Sequence, residues 1–508
     1  MQLSKENLKK IDPQPELSLP GEQLFELPEK VLQFGTGVLL RGLPDYFIDK
    51  ANKQGIFNGR VVVVKSTSKG GTDSFEKQDG LYTICVRGIE ENKKIEENSI
   101  NAAISRVLSA SDDWKEILKC AHDPEMQLII SNTTEVGIVL TYDDITSAPP
   151  HSFPGKLLAF LYERYKAFNG NEESGMVIVP TELIVNNGDK LKEIVFQLAL
   201  QNKLENDFIE WLGSANHFCN SLVDRIVPGA LPKAEQKATE EKLGYSDELM
   251  IMAESFRLWA IESGNKKVKD VLSFSKADDG VVVTPDIEKF RELKLRLLNG
   301  THTFSCGIAM LAGFKTVKDA LQDEEVSLFI RRLMMLEIAD VIDGETISYN
   351  EACAFADKVM DRFRNPFLDH KWKDISVNYS SKMKMRNLPL LQKYFNKHQN
   401  IPQHMALGFA AYIAFMKCRQ EDDGKYYGDV NGETYLIDDS AASFFAEQWN
   451  KNDISELINQ VLANTSLWGA DLSGQKDFAK TIKENLLLIQ NEGVLTAIER
   501  RHLQKTTV

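Results

Sequence analysis

Five short runs constrain what this chain folds into: Lys30–Phe34, Arg60–Lys65, Leu128–Ser131, Met176–Pro180 and Gly280–Thr284, each rich in Val or Ile or flanked by turn residues. Helix-like stretches lie between them, including Trp114–Ala121, Lys156–Phe168 and Lys190–Gln201. Short, nearly continuous apolar strands alternating with helices predict an α/β fold whose mostly parallel sheet is covered on both faces. After about Pro285 the pattern changes. Ile287–Leu298, Val317–Ile342, Ile347–Phe363, Leu388–Lys397 and Met405–Cys418 read as helices, and the tail from Ser440 to Leu503 is mostly helical. The expected division is an α/β domain over residues 1–285 and a mainly α-helical domain over 286–508, with a ligand site in a cleft between them.

A chain of 508 residues suits two or three domains, and 43% hydrophobic with 26% charged residues gives enough apolar material for a sizeable core. Sixty Lys and Arg against 74 Asp and Glu give a net charge of −14. That balance argues against nucleic acid or an anionic membrane as the main partner, but not against a small anionic substrate held in a local cationic pocket. The polar, Pro-broken start lacks a secretion-type apolar region, and no stretch approaches the roughly 18 apolar residues of a membrane span. The six cysteines are scattered, without C-x-x-C pairs or zinc-like spacing, so reduced thiols and a soluble cytoplasmic protein are expected. Eight histidines without H-x-x-x-H spacing offer no metal site.

Val31-Leu-Gln-Phe34-Gly35-Thr36-Gly37 reads as a first strand entering a glycine turn and then a helix. Glycines there allow a tight turn and close approach of backbone amides to a pyrophosphate. The third glycine of the usual fingerprint would fall at Leu40; the chain instead runs on to Arg41 and Gly42. A plain strand–turn–helix explains the string nearly as well, and its place on the first strand of an alternating pattern favours a dinucleotide. At the end of the second strand an acidic residue would bind the ribose of NAD, but the chain offers Lys65-Ser66-Thr67-Ser68-Lys69. NAD is the expected cofactor, and the residues alone leave NADP open.

The stretch Lys294-Leu-Arg-Leu-Leu-Asn299-Gly-Thr-His302 carries the chemistry. On an α-helix Asn299 lies roughly 140° and His302 roughly 80° round the axis from Lys294, so all three share one broad face. A surface lysine, a cap asparagine and a core histidine would be the bland account of such a triplet.

K-x-x-x-x-N-x-x-H nevertheless resembles the signature of the polyol-specific long-chain dehydrogenases, the mannitol dehydrogenase family. Gln78-Asp-Gly-Leu-Tyr82, Ser131-Asn-Thr-Thr-Glu135, Val223-Asp-Arg-Ile-Val-Pro228, Arg362-Phe-x-Asn-Pro366 and Ser380-Ser-Lys382 continue the resemblance in order over nearly the whole chain. It implies a Rossmann-type domain, a helical substrate domain, no metal, and a monomer or homodimer. Within the family, SNTTEVGI and PTELIVNNG resemble members acting on ketouronates, which implies NADH-dependent interconversion of D-tagaturonate and D-altronate. Fructuronate reduction and mannitol oxidation on the same machinery are the near alternatives, and a dinucleotide-binding sensor without chemistry is the distant one.

The resemblance casts Lys294 as general acid and base, Asn299 as a donor to the developing oxyanion, and His302 as a holder of a substrate hydroxyl. A lysine in that role near neutral pH needs a pKa well below the ~10.4 of the free side chain, a shift of the kind burial can achieve. Phe34, Gly35, Thr36, Gly37, Arg41, Lys65 and Ser66 are the expected cofactor contacts. Where mannitol dehydrogenases tend to carry Asp-Asn this chain has Glu182-Leu183, so Asn186 or Asn187 is the replacement candidate, and Glu135 is placed at the site mouth. A uronate needs a cation, for which Lys382, Lys384 and Arg386, with His370, are the candidates. Phe256 and Trp259, three apart in ESFRLWAIE, read as core aromatics on a helix.

Overall fold

The computed structural model describes residues 1–66, 71–133, 137–475 and 477–503. Contacts divide it into two compact units: Met1–Gly88 with Lys94–Ile287, and Ile89–Lys93 with the chain from Glu288 onward.

The first unit is built on six strands, β1 (Glu29–Phe34), β2 (Arg60–Lys65), β3 (Ile104–Ser109), β4 (Leu128–Ser131), β5 (Val177–Pro180) and β6 (His217–Phe218). They lie in the order β3-β2-β1-β4-β5-β6, every pair parallel. This is the doubly wound Rossmann arrangement, whose order reverses between β1 and β4 and opens a crevice at their carboxyl ends.

Period-two geometry explains why valine runs serve here. Leu32, Phe34, Val62, Val64, Ile129 and Ile178 point into one core with Trp114, Leu157, Leu161 and Leu191. Their neighbours Val31, Val61, Val63, Leu128, Ile130, Val177 and Val179 point into the other, with Leu40, Phe47 and Ile48. Each such side chain contributes about 1.5–3 kcal/mol by leaving water, so a polar substitution on either face is costly.

Two expectations change in this unit. Gly280–Thr284 does hold a strand, Val281–Thr284, but it belongs to a separate three-stranded sheet with Ser221–Asp224 and Leu258–Glu262. ESFRLWAIE is therefore not helical. Trp259 pairs across that sheet with Val281 and is fully buried against Phe274, in strand geometry that a spacing of three did not reveal. A further sheet, with the long strands Tyr82–Glu90 and Lys93–Asn101 flanked by Leu17–Ser18 and Ile251–Glu254, has no counterpart in the sequence reading.

The second unit is helical around Gln403–Phe415, which is buried along nearly its whole length and packs on Thr301–Leu311 and Phe478–Glu492. Reciprocal glycines permit that crossing. A Cβ on Gly307 would lie 2.7 Å from the Ala411 carbonyl oxygen, and one on Gly408 would lie 2.9 Å from that of Phe304. The run Val317–Ile342 is not one helix: it breaks after Ala320 and restarts at Glu324, because Asp323 accepts the Val326 amide at 3.0 Å and caps a new helix. Ile287–Leu298 is α-helical only over Glu288–Leu293 and then widens into a π-helical segment, Lys294–Gly300. Short antiparallel strands at Arg419–Gln420, Tyr426–Val430 and Glu433–Leu436 interrupt the helices. No helix among the described residues is long and apolar enough to cross a membrane.

Candidate active site

In the first unit β1 delivers its chain to Gly35, whose φ of +127° excludes an L side chain. A Cβ there would lie 2.8 Å from the Leu40 side chain and 3.0 Å from the Asn132 carbonyl oxygen. Gly35 N–H donates to the Val64 carbonyl at 3.0 Å, so the turn is fastened to β2. Gly37 then caps the helix Val38–Gly42, and among the described residues a Cβ on it would meet nothing within 4 Å. Thr36 and Gly37 thus leave an open stretch of backbone that fits a pyrophosphate.

Other members of the expected cofactor set sit differently. Phe34 is fully buried with its ring 5.2 Å from that of Phe153, so its side chain is core and faces no ligand. Arg41 is buried, its Nη1 donates to the Leu249 carbonyl at 2.7 Å and its guanidinium lies over Phe75 and Tyr82. It ties the helix Val38–Gly42 to the chain at Leu249. Lys65 is half-buried at the end of β2, and Ser66 follows it, exposed.

Between the ends of β4 and β5, Glu182 is the tie that sequence reasoning missed. Its buried carboxylate accepts from Ser131 Oγ at 3.2 Å, Thr133 N at 2.8 Å and Thr133 Oγ1 at 3.0 Å. Leu183 beside it is 65% exposed. Asn187 needs correction as a substrate residue. Its Nδ2 donates to the carbonyls of Pro180, Glu182 and Ser221, and its Oδ1 accepts from the Gly188 and Ser221 amides. No hydrogen-bonding capacity is left for a ligand. Glu135 lies outside the described residues.

In the second unit Lys294 and Asn299 are the first and sixth residues of the π-helical segment. An i→i+5 repeat brings such a pair nearer to one face than the roughly 140° of an α-helix would. His302 follows on the next turn, 7% exposed. Its ring stacks on Phe363, with centroids 4.2 Å apart and planes 18° from parallel, and meets His370 and Trp372 edge-on. Its Nε2 is buried with no hydrogen-bond partner among the described residues.

Burial drives the His302 pKa well below that of an ordinary imidazole, and the charges of His370, Arg362, Arg386 and Lys382 add to the effect. The ring is therefore neutral at physiological pH, inside a cationic surround. Burial also lowers the pKa of Lys382, whose Nζ donates to the Ile375 carbonyl at 2.9 Å, and that of Arg386, whose Nη1 donates to Thr303 Oγ1 at 3.2 Å.

Lys384 does not join them. It runs along Gly469, where a Cβ would lie 3.6 Å from its Nζ, because alternate positions on that segment face opposite ways. Arg362 and Phe363 belong to a string that carried the family resemblance, yet no spacing rule places them against His302, which is a tertiary contact. Among the described residues no group of three His, Cys, Asp or Glu side chains is arranged to hold a metal ion.

Two domain families match the chain in order: the mannitol dehydrogenase Rossmann domain over residues 29–273 and the mannitol dehydrogenase C-terminal domain over residues 286–490. A Bacillus subtilis (strain 168) protein named altronate oxidoreductase is 38% identical over 482 residues, 94% of this chain and 96% of that one. A protein of the same name from Escherichia coli O7:K1 is 36% identical over 488 residues, 94% of this chain and 97% of that one. Among solved structures, Pseudomonas fluorescens mannitol 2-dehydrogenase in a ternary complex with NAD and D-mannitol is 21% identical with a TM-score of 0.67, over 99% of this chain and 100% of that chain. A substrate-free D-sorbitol dehydrogenase is 19% identical with a TM-score of 0.76, over 98% of this chain and 100% of that chain. At those identities the likeness concerns the fold. The near relatives, the two domain matches and the ordered motifs agree, and the chain belongs to the mannitol dehydrogenase family.

Proposed function

We propose that this chain is an NAD-dependent oxidoreductase that interconverts D-tagaturonate and D-altronate. The observation that carries the substrate class is the surround of His302: a neutral, buried ring with an unpartnered Nε2, set among Arg362, Lys382 and Arg386. Arg362 and Lys382 lie in strings that carry the family resemblance, whereas Arg386 lies outside them and adds the cation that a uronate carboxylate needs. The relatives named altronate oxidoreductase support the same choice.

NADH, when bound, supplies the hydride that reduces the keto carbon. The backbone of Gly35, Thr36 and Gly37 would hold its pyrophosphate, and Lys65 and Ser66 would meet its adenosine ribose. Lys294 gives the proton from its Nζ to the carbonyl oxygen as negative charge grows there, and is left neutral; in oxidation it takes the hydroxyl proton back. Asn299 donates its amide to the same oxygen, which stabilises charge present only in the transition state. His302 Nε2 bonds a substrate hydroxyl, and its neutral state lets the ring accept as well as donate according to tautomer. Arg386 and Lys382 hold the carboxylate.

The test is loss of NADH absorbance with tagaturonate, fructuronate and fructose in parallel, with NADPH as a control. Tagaturonate is expected to be reduced fastest, with NADH. Preference for fructuronate or fructose overturns the substrate assignment and keeps the lysine chemistry. Absence of turnover with all three overturns the enzyme itself in favour of a dinucleotide sensor.

A further inference from the structure

Two π-helical segments of the second unit carry the candidate chemistry: Lys294–Gly300 holds the proton donor Lys294 and the oxyanion donor Asn299, and Met383–Asn387 begins immediately after Lys382 and contains Arg386. One side chain joins them. Arg296 is 9% exposed, and its Nη1 donates to the carbonyls of Met385 at 3.1 Å and Arg386 at 2.8 Å. From its other edge, Nε and Nη2 reach the two carboxylate oxygens of Glu292 at 3.1 and 3.2 Å. Widened turns leave carbonyls poorly served within their own helix, and a guanidinium with donors on two edges can serve two of them while a carboxylate fixes its plane.

The connections close into a ring. From the Arg386 carbonyl the chain leads to the Arg386 side chain, which donates to Thr303 Oγ1 at 3.2 Å. Thr303 Oγ1 in turn donates to the Asn299 carbonyl at 2.8 Å, three residues beyond Arg296 itself. The segment that presents Lys294 and Asn299 and the one that presents Arg386 are thus tied at two points, through Arg296 and through Thr303.

We infer that Arg296 is a positioning residue, fixing the distance between Lys294 with Asn299 and the arginine that grips the substrate carboxylate. It acts through the backbone it holds and touches no substrate. The inference rests on the ketouronate assignment proposed above. Displacement of a reacting group by about 1 Å costs on the order of 100-fold in rate, so a slipped register between the two segments is felt in turnover. Lysine at this position keeps the charge but replaces the planar fork with a single point donor, which cannot hold Glu292 and both carbonyls together.

The experiment compares the full-length wild type with Arg296→Lys and Glu292→Gln, reading melting temperature, NADH affinity by fluorescence, and kcat and KM for tagaturonate and fructose. Arg296→Lys is expected to bind NADH within threefold of wild type. Its kcat on tagaturonate should fall by roughly 30-fold or more, and its preference for tagaturonate over fructose by roughly tenfold. Glu292→Gln should shift the same two quantities in the same direction by about threefold to fivefold, since an amide still accepts one of the two bonds, and it decides the matter if Arg296→Lys does not fold. A lower melting temperature with kcat and preference both within twofold of wild type overturns the inference and leaves Arg296 a structural tie. A wild type that prefers fructose overturns the ketouronate assignment alone; kcat on fructose then judges Arg296, since Lys294 and Asn299 serve either ketose. A wild type silent with every ketose overturns both.

Discussion

Asn187 and His302 are both buried polar side chains on helices, and they are opposites. Asn187, in the first unit, uses its whole amide on five neighbouring backbone groups across β5, its own helix and the strand beginning at Ser221. His302, in the second, keeps Nε2 buried without a partner among the described residues and is held by ring contacts instead. A satisfied buried amide contributes to stability; an unsatisfied buried nitrogen costs stability that a new hydrogen-bond partner, such as a substrate hydroxyl, restores. Burial alone does not separate the two. The hydrogen-bond inventory does.

Lys294→Ala gives the largest effect expected, a loss of roughly 1,000-fold in kcat from removal of the general acid and base. NADH affinity measured by fluorescence should stay within threefold; a near-normal rate would remove the lysine from the mechanism. His302→Phe tests the contrast directly. A phenyl ring keeps the stacking on Phe363 and deletes the unpartnered nitrogen, so kcat/KM should fall by about 100-fold while the melting temperature holds or rises. Arg386→Lys comes next, with KM for tagaturonate raised by about tenfold and KM for fructose little changed; equal effects on both would mean that Arg386 does not read the carboxylate.

Asn187→Ala is the mirror of the His302 variant. It should cost about 3–5 kcal/mol of stability by denaturant unfolding, from backbone groups left unpaired, with kcat/KM of the folded enzyme within twofold of wild type. Loss of activity at unchanged stability would restore Asn187 to the site.

The last effect is a slope. Asp45 is fully buried beside Gln33, and burial raises its carboxyl pKa to about 7 against the partial relief given by Gln33 and Arg41. Between the ~3.9 of an unfolded aspartate and that value the folded state holds a proton that the unfolded state has released. Stability from this group is therefore complete below about pH 4 and is lost as pH rises toward 7. Asp45→Asn should flatten that part of the stability profile, as read by urea unfolding at a series of pH values.

What could be read ahead of the structure follows from how each signal is stored in the chain. β1, β2, β4 and β5 were legible because a strand buried on both faces must be apolar without interruption, a local property of the residues. Leu258–Glu262 was not, because Trp259 and its neighbours fit helix and strand spacing alike until Val281 pairs with them. The break at Leu321–Asp323 was written in the sequence as a capping aspartate followed by two glutamates, but apolar residues on either side masked it.

The site divides along the same line. The glycine turn and the Lys294, Asn299, His302 triplet stood in the sequence, since a positive φ and a shared helical face are set within a few residues. The place of Lys384 beside Gly469, the stacking of His302 on Phe363, the occupied amide of Asn187 and the bridge made by Arg296 did not. Each of these depends on a partner 34 to 90 residues away, and on which hydrogen bonds that partner leaves unmade. By itself the sequence determined the class of fold, the family and the residue types available for the chemistry. Only the tertiary structure decided which of those side chains are occupied in holding the protein together and which are left with a bond to make, because satisfaction of a buried polar atom is a property of its neighbours and not of its own position in the chain.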